Sequence, residues 1–63
     1  MTPDRPGYWL FHPRGGGAPE RIPVDFKMEG GRMVLFPDSP RFPKTFEEMA
    51  ALGTWEGPPL AAP

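Results

Sequence analysis

Eleven prolines and eight glycines interrupt this 63-residue chain at short intervals. Proline fixes φ and lacks an N–H, so such a chain has little room for long regular elements. A content of about 30% proline and glycine is typical of low-complexity or disordered chains. Eight aromatic residues and a net charge of −1 argue against disorder, which usually combines few aromatics with high net charge. We therefore expect a folded centre with extended arms.

The length predicts one small domain, residues 1–63, with a thin core, because chains of this size bury only about 60% of their surface on folding. Disulfides, a structural metal or association usually stabilise such chains. This chain has no cysteine and one histidine, so neither a disulfide nor a zinc site is expected. We predict no metal and no cofactor, and association as the remaining source of stability.

Proline positions predict the organisation of the chain. An N-terminal arm is expected over 1–7, a folded centre over 8–56 and a C-terminal arm over 57–63, both arms low in internal contacts. The aromatic run at 8–12 predicts a strand covered on both faces, since both are apolar. The glycine-rich stretch 14–23 predicts a flexible connection.

The clearest local pattern predicts a β-hairpin over residues 24–36 around Gly30-Gly31. In the expected register Glu29 faces Arg32 and Met28 faces Met33. One face of the hairpin is apolar and is expected to be core. Its residues are Val24, Phe26, Met28, Met33 and Leu35.

Pro37, Pro40 and Pro43 recur every third residue, which predicts a stiff polyproline II connector. A short helix is expected from about Phe46 to Leu52 and should dock on the Val24, Phe26 and Leu35 face of the hairpin. Its signals are a capping box of Thr45 and Glu48 and a C-terminal stop at Gly53. The predicted fold class is an α+β mini-domain with a β-hairpin, one further short strand, one short helix and proline-rich arms.

Catalytic arrangements are weakly supported. Ser39 and His12 would need a carboxylate such as Asp38 or Asp25 to form a triad, but no motif groups them. The glycines at 15–17 resemble part of a phosphate loop, but Pro19 and Pro23 block the helix that must follow. The adjacent Glu47 and Glu48 point about 100° apart on a helix and favour N-terminal stabilisation. The chain is predicted not to be an enzyme.

Charge and hydropathy also restrict the partners. The chain has no cluster of basic residues, so its charge gives no indication of a nucleic-acid partner. No apolar run exceeds four residues, so neither a membrane span nor a signal-peptide core is expected. The expected location is the cytoplasm or a virion.

Three pieces of the chain carry a resemblance to a known class of proteins. An aromatic-His-Pro segment at Tyr8–Pro13, an Asp-Ser-Pro turn at Asp38–Pro40 and a small helix followed by Gly and Trp at Phe46–Trp55 resemble short proteins encoded in phage morphogenesis clusters. The resemblance implies a virion or assembly role.

The leading hypothesis is a non-catalytic structural or assembly accessory protein that contacts subunits of a larger assembly or forms a homo-oligomer. One alternative is a small binding module or inhibitor that regulates a host enzyme. Another is a single-stranded nucleic-acid binder that uses the aromatic strand. The residues expected to contact a partner are Tyr8, Trp9, Phe11, Phe36, Pro37, Pro40, Phe42, Pro43, Trp55, Pro58, Pro59 and Leu60.

Overall fold

A computed structural model describes residues 1–61 of the chain. Its elements are β1 (Gly7–Pro13), β2 (Glu20–Glu29), β3 (Arg32–Pro37), α1 (Phe46–Ala50) and β4 (Gly53–Leu60). The strands form one antiparallel sheet in the order β3-β2-β1-β4. The prediction of an α+β mini-domain with a hairpin and a short helix is confirmed.

The hairpin forms as its turn residues predict. Gly30 and Gly31 have φ of 60° and 80°, the left-handed values that a two-residue primed turn requires and that glycine adopts without strain. Glu29 pairs with Arg32 and Met28 with Met33, so the predicted register is confirmed.

Strand β1 lies in the middle of the sheet and pairs with two strands. Trp9 is opposite Ile22 on β2, and Phe11 is opposite Trp55 on β4. The prediction of a flexible connection over 14–23 is wrong from Glu20 onward, because residues 20–23 belong to β2. Burial of Ile22 beside Trp9 holds that segment in the sheet despite Pro19 and Pro23.

The helix begins as predicted and ends earlier. The Glu48 amide donates to Thr45 Oγ1 at 3.2 Å, and the Thr45 hydroxyl donates to the Glu48 carboxylate at 3.0 Å. Gly53 does not supply the expected left-handed stop. It is the first residue of β4, where a Cβ would overlap the backbone carbonyl of His12. Glycine is required there by close strand approach.

The core lies on one face of the sheet, under α1 and the segment 38–45. Its buried residues are Trp9, Phe11, Ile22, Val24, Met49 and Trp55. Phe42 and Phe46 pack against them, and the Phe11 ring meets Phe42 and Trp55 edge to face at centroid distances of 5.5 and 4.9 Å.

The predicted docking of α1 on the hairpin is wrong. The five-residue helix packs beside β4 and inserts Met49 into the core, so it does not extend over the distal half of the hairpin. Phe26 is consequently 43% exposed, while Val24 is 3% exposed and Leu35 is half-buried. Only the part of the predicted apolar face nearest to β1 belongs to the core.

The segment after β3 is a turn and not a straight polyproline connector. The Phe42 amide donates to the Ser39 carbonyl at 3.3 Å, and the Arg41 amide donates to Ser39 Oγ at 3.3 Å. Pro40 occupies the second position of this turn, which its fixed φ suits. The reversal brings Phe42 back against Phe11.

The predicted arms are integrated into the domain. Strand β4 continues to Leu60, which pairs with Tyr8, so the expected C-terminal arm is largely a sheet strand; residues 62–63 lie outside the described residues. At the other end Pro3 is buried, and Trp9 Nε1 donates to the Arg5 carbonyl at 3.0 Å. Neither described end is low in internal contacts.

Candidate protein-interaction surfaces

In the part of the chain that the structure describes, the second face of the sheet has no covering layer. Side chains alternate between faces along a strand, so the burial of Trp9 and Phe11 directs Tyr8, Leu10 and His12 to the opposite side. Within residues 1–61, no helix or strand packs on that side. The expectation that both faces of β1 are covered is therefore wrong.

Apolar side chains from all four strands meet on this uncovered side. Tyr8 lies between Pro23 on β2 and Leu60 on β4, and Leu10 follows two residues along β1. Phe36 lies on the same side of β3, opposite Asp25. We call these five residues, Tyr8, Leu10, Pro23, Phe36 and Leu60, the open face. Four are half-buried and Leu60 is 38% exposed.

Charged groups also lie on this side, where Leu10 is opposite Arg21 and Glu56 and Phe36 is opposite Asp25, and some of the charged groups form pairs. His12 Nε2 lies 2.6 Å from Glu56 Oε1 at the β1–β4 end. Lys27 Nζ lies 5.2 Å from the centroid of the Phe36 ring and 3.5 Å from Glu29 Oε2. An apolar centre with a polar border is the usual anatomy of a protein interface.

A second apolar surface lies on the core side of the sheet, beyond the reach of α1. Phe26, Met28 and Met33 are 43%, 64% and 57% exposed, and we call them the hairpin patch. All three lie on the same side of the hairpin, because Met28 pairs with Met33 and Phe26 with Leu35. Sequence reasoning assigned them to the core, since amphipathic alternation does not reveal how far a covering helix extends.

The residues expected to contact a partner divide into three groups. Trp9, Phe11, Pro37 and Trp55 are buried, and Phe42 packs against their cluster. Pro40 is exposed in the turn, and Pro43 and Pro59 are half-buried. Tyr8, Phe36 and Leu60 lie on the side of the sheet that carries the open face. Pro58 belongs with the exposed prolines and lines a cavity beside Trp9 and Gly57. Leu10 and Pro23 were missed, although their alternation with buried neighbours is the signal that identifies them.

The groups considered for catalysis have other partners. Ser39 Oγ accepts from the Arg41 amide within the turn, and His12 pairs with Glu56 on the sheet, so the two do not interact. Glu48 caps α1. In the described part of the chain, no three His, Asp or Glu side chains are grouped as metal ligands would be. No helix within residues 1–61 combines the length and hydropathy needed to cross a bilayer.

Comparison with known proteins finds no matching family model, no matching curated protein and no matching solved structure. Functional inference therefore rests on the geometry and chemistry of the two surfaces.

Proposed function

We propose that this chain is a non-catalytic assembly accessory protein that binds a neighbouring protein subunit through the open face. The observation that carries the proposal is that Tyr8, Leu10, Pro23, Phe36 and Leu60 share a sheet face that no other described element covers. Antiparallel sheets can leave one face in water, but that face is then normally polar. An apolar cluster at its centre indicates a protein contact.

Attachment to a larger subunit also suits the size of the domain. A thin core leaves a chain of this length with little stability of its own, and binding to the native state adds to it by mass action. The open face is a nearly rigid platform, since its residues belong to paired strands. Docking would therefore require little further ordering, and more of the contact energy remains as affinity.

A phage-type virion component, such as a decoration, connector or tail accessory protein, is the specific form that we propose. Its support is the resemblance of Tyr8–Pro13, Asp38–Pro40 and Phe46–Trp55 to short phage morphogenesis proteins. The structure adds that Tyr8 belongs to the open face, whereas Phe46 and Trp55 pack together with ring centroids 5.7 Å apart. The shared pieces thus contribute to both the fold and the surface.

The nucleic-acid alternative loses its main support. Base stacking requires exposed ring faces, but Trp9 is 3% exposed and Phe11 is fully buried. Of Tyr8, Trp9 and Phe11 on β1, only Tyr8 reaches the open face. The enzyme-inhibitor alternative uses the same surface and differs from the assembly hypothesis in the stoichiometry and size of the complex.

The test is gradient sedimentation of the full chain from its native cells, or from particles released by them. We expect it at a fixed stoichiometry in a large particle, and Phe36→Lys should remove it from that fraction because the lysine places a charge in the apolar contact. Ala18→Lys, exposed in the loop between β1 and β2, is the matched control and should co-sediment like the wild type. Circular dichroism should show both variants folded.

Two results would contradict this function. The chain could remain at the top of the gradient as a free small protein or as a one-to-one complex with an enzyme, which would favour the inhibitor hypothesis. Alternatively, Phe36→Lys and Leu60→Lys could both co-sediment normally, which would exclude the open face as the contact.

A further inference from the structure

The two edges of the sheet differ in their capacity to add another strand. Among the described residues, the edge strands β3 and β4 each carry one row of backbone groups that faces no neighbouring strand. On β4, Pro58 and Pro59 lack an N–H, and the pairing with β1 is irregular between Tyr8 and Leu10. Strand β3 has no proline before Pro37 and pairs regularly with β2. The β3 edge is therefore the better suited of the two to accept a strand, since it is regular along its whole length.

The hairpin register identifies which groups on β3 are available. Residues that flank a two-residue turn exchange both backbone hydrogen bonds, and bonding then alternates along the strands. Arg32 and Val34 therefore bond to β2, whereas the N–H and C=O of Met33 and Leu35 point away from it. Within residues 1–61, the backbone of β3 makes no hydrogen bond outside the hairpin.

The hairpin patch adjoins this edge. Met33 lies on β3 itself and is 57% exposed, with Met28 next to it on β2. Three side chains are a small contact compared with the about 800 Å² that each partner contributes to a standard interface. If the β3 edge also pairs with a strand of another sheet, these side chains become part of one apolar face that spans both sheets.

We infer that the β3 edge pairs antiparallel with β3 of a second copy of this chain, joining two four-stranded sheets and their hairpin patches. A two-fold axis at Leu35 makes the contact self-complementary. It places Arg32 opposite Asp38 of the second copy at both ends, with apolar residues between them. Leu35 bonds its symmetry mate, and the Met33 amide donates to the Pro37 carbonyl of the other copy.

This pairing goes beyond the proposed function, since it uses the β3 edge and the hairpin patch. Of the open face it involves only Phe36, which lies on β3 opposite Val34 of the second copy, and the other four residues lie on the other strands. The β3 pairing can be disproved while the assembly function holds, and the assembly function can be disproved while the pairing holds. A strand of a different protein could use the same edge, and the measurements below on the purified chain alone separate that case from a second copy.

The first measurement is sedimentation equilibrium of the purified full chain over about a hundredfold range of concentration. We expect a monomer–dimer equilibrium. Met33→Lys should weaken it by about tenfold or more, since an edge lysine opposes strand addition. Leu52→Lys is the control, because Leu52 is 42% exposed in the turn after α1, and it should dimerise like the wild type. A wild-type chain that stays monomeric, or a dimer unaffected by Met33→Lys, would overturn the inference.

The second measurement traps the paired strands with a disulfide. Because the chain has no cysteine, a single introduced cysteine can cross-link only to its counterpart in another copy. Residues facing each other in a bonded antiparallel pair have Cα atoms about 5.5 Å apart, within disulfide reach. Leu35→Cys should therefore cross-link on mild oxidation. Met28→Cys is more accessible, since Met28 is 64% exposed, but two strands separate it from its symmetry mate, so it should not cross-link. Failure of Leu35→Cys to cross-link, or equal cross-linking by both variants, would refute strand pairing about Leu35.

Discussion

The indole ring of Trp9 lies directly against the backbone of Gly57, so that a Cβ on residue 57 would overlap three atoms of the ring. Tyr8 pairs with Leu60 and Leu10 pairs with Glu56, so β4 has extra residues at this point. Gly57 lies in that irregular stretch, over the Trp9 side chain. The last strand is therefore shaped around the largest residue of the core.

Replacing Gly57 by alanine should destabilise the domain by about 3 kcal/mol, because the new methyl group displaces either the buried indole or β4. Gly17→Ala is the matched control, since its Cβ would meet Pro13 at an ordinary 3.5 Å. Urea unfolding followed by tryptophan fluorescence measures both. Equal stabilities of the two variants would show that the ring does not lie against Gly57.

Local signals predict the local elements of this fold. Gly30-Gly31 specifies the turn and register of the hairpin, and Thr45 with Glu48 specifies the start of α1. Their physical causes act within a few residues, through positive φ and through capping hydrogen bonds. Strand β4 could not be predicted in this way, because Pro58 and Pro59 suggest an extended arm and its partners on β1 are 40 or more residues away.

The interaction surfaces were only partly predictable. A small core cannot hold all the apolar residues of the chain, and this reasoning predicts correctly that Tyr8, Phe36 and Leu60 contribute to a surface. The same reasoning selects Trp9 and Phe11, which are buried. Which side of β1 is covered depends on where α1 and the 38–45 turn pack. That is a tertiary property, and alternation alone leaves both sides equivalent.

The exposure of Phe26 distinguishes the observed core from the one predicted by the hairpin pattern. Phe26→Ala should cost about 1 kcal/mol or less, since a side chain that is 43% exposed loses little burial. Phe11→Ala removes a ring with no exposed surface and should cost about 3–5 kcal/mol. Chemical denaturation of both variants, at a concentration where the wild type is monomeric, gives the comparison. A larger loss for Phe26→Ala would place the core on the hairpin instead.

The cap of α1 should make a modest contribution. Thr45→Ala removes the oxygen that accepts from the Glu48 amide and should lower the free energy of unfolding by about 1 kcal/mol. Thr2→Ala is exposed near the chain start and should have no measurable effect. Thermal unfolding of the two variants is the measurement, and Thr45→Ser should retain most of the stability because serine keeps the accepting oxygen.

Removing residues 57–63 distinguishes a strand from a loose tail. The deletion eliminates the second half of β4, the Tyr8–Leu60 pairing and the backbone that covers Trp9. Since a core of this size rarely supplies more than about 3–5 kcal/mol, we expect the truncated chain to be unfolded at room temperature. A synthetic chain lacking Met1 and Thr2, both exposed, should unfold with nearly the wild-type midpoint. Near-ultraviolet circular dichroism reports the packing of Trp9 and Trp55 in each. A truncated chain with a wild-type spectrum and midpoint would mean that residues 57–60 contribute nothing to the fold. That result would support the extended C-terminal arm that the proline content predicted.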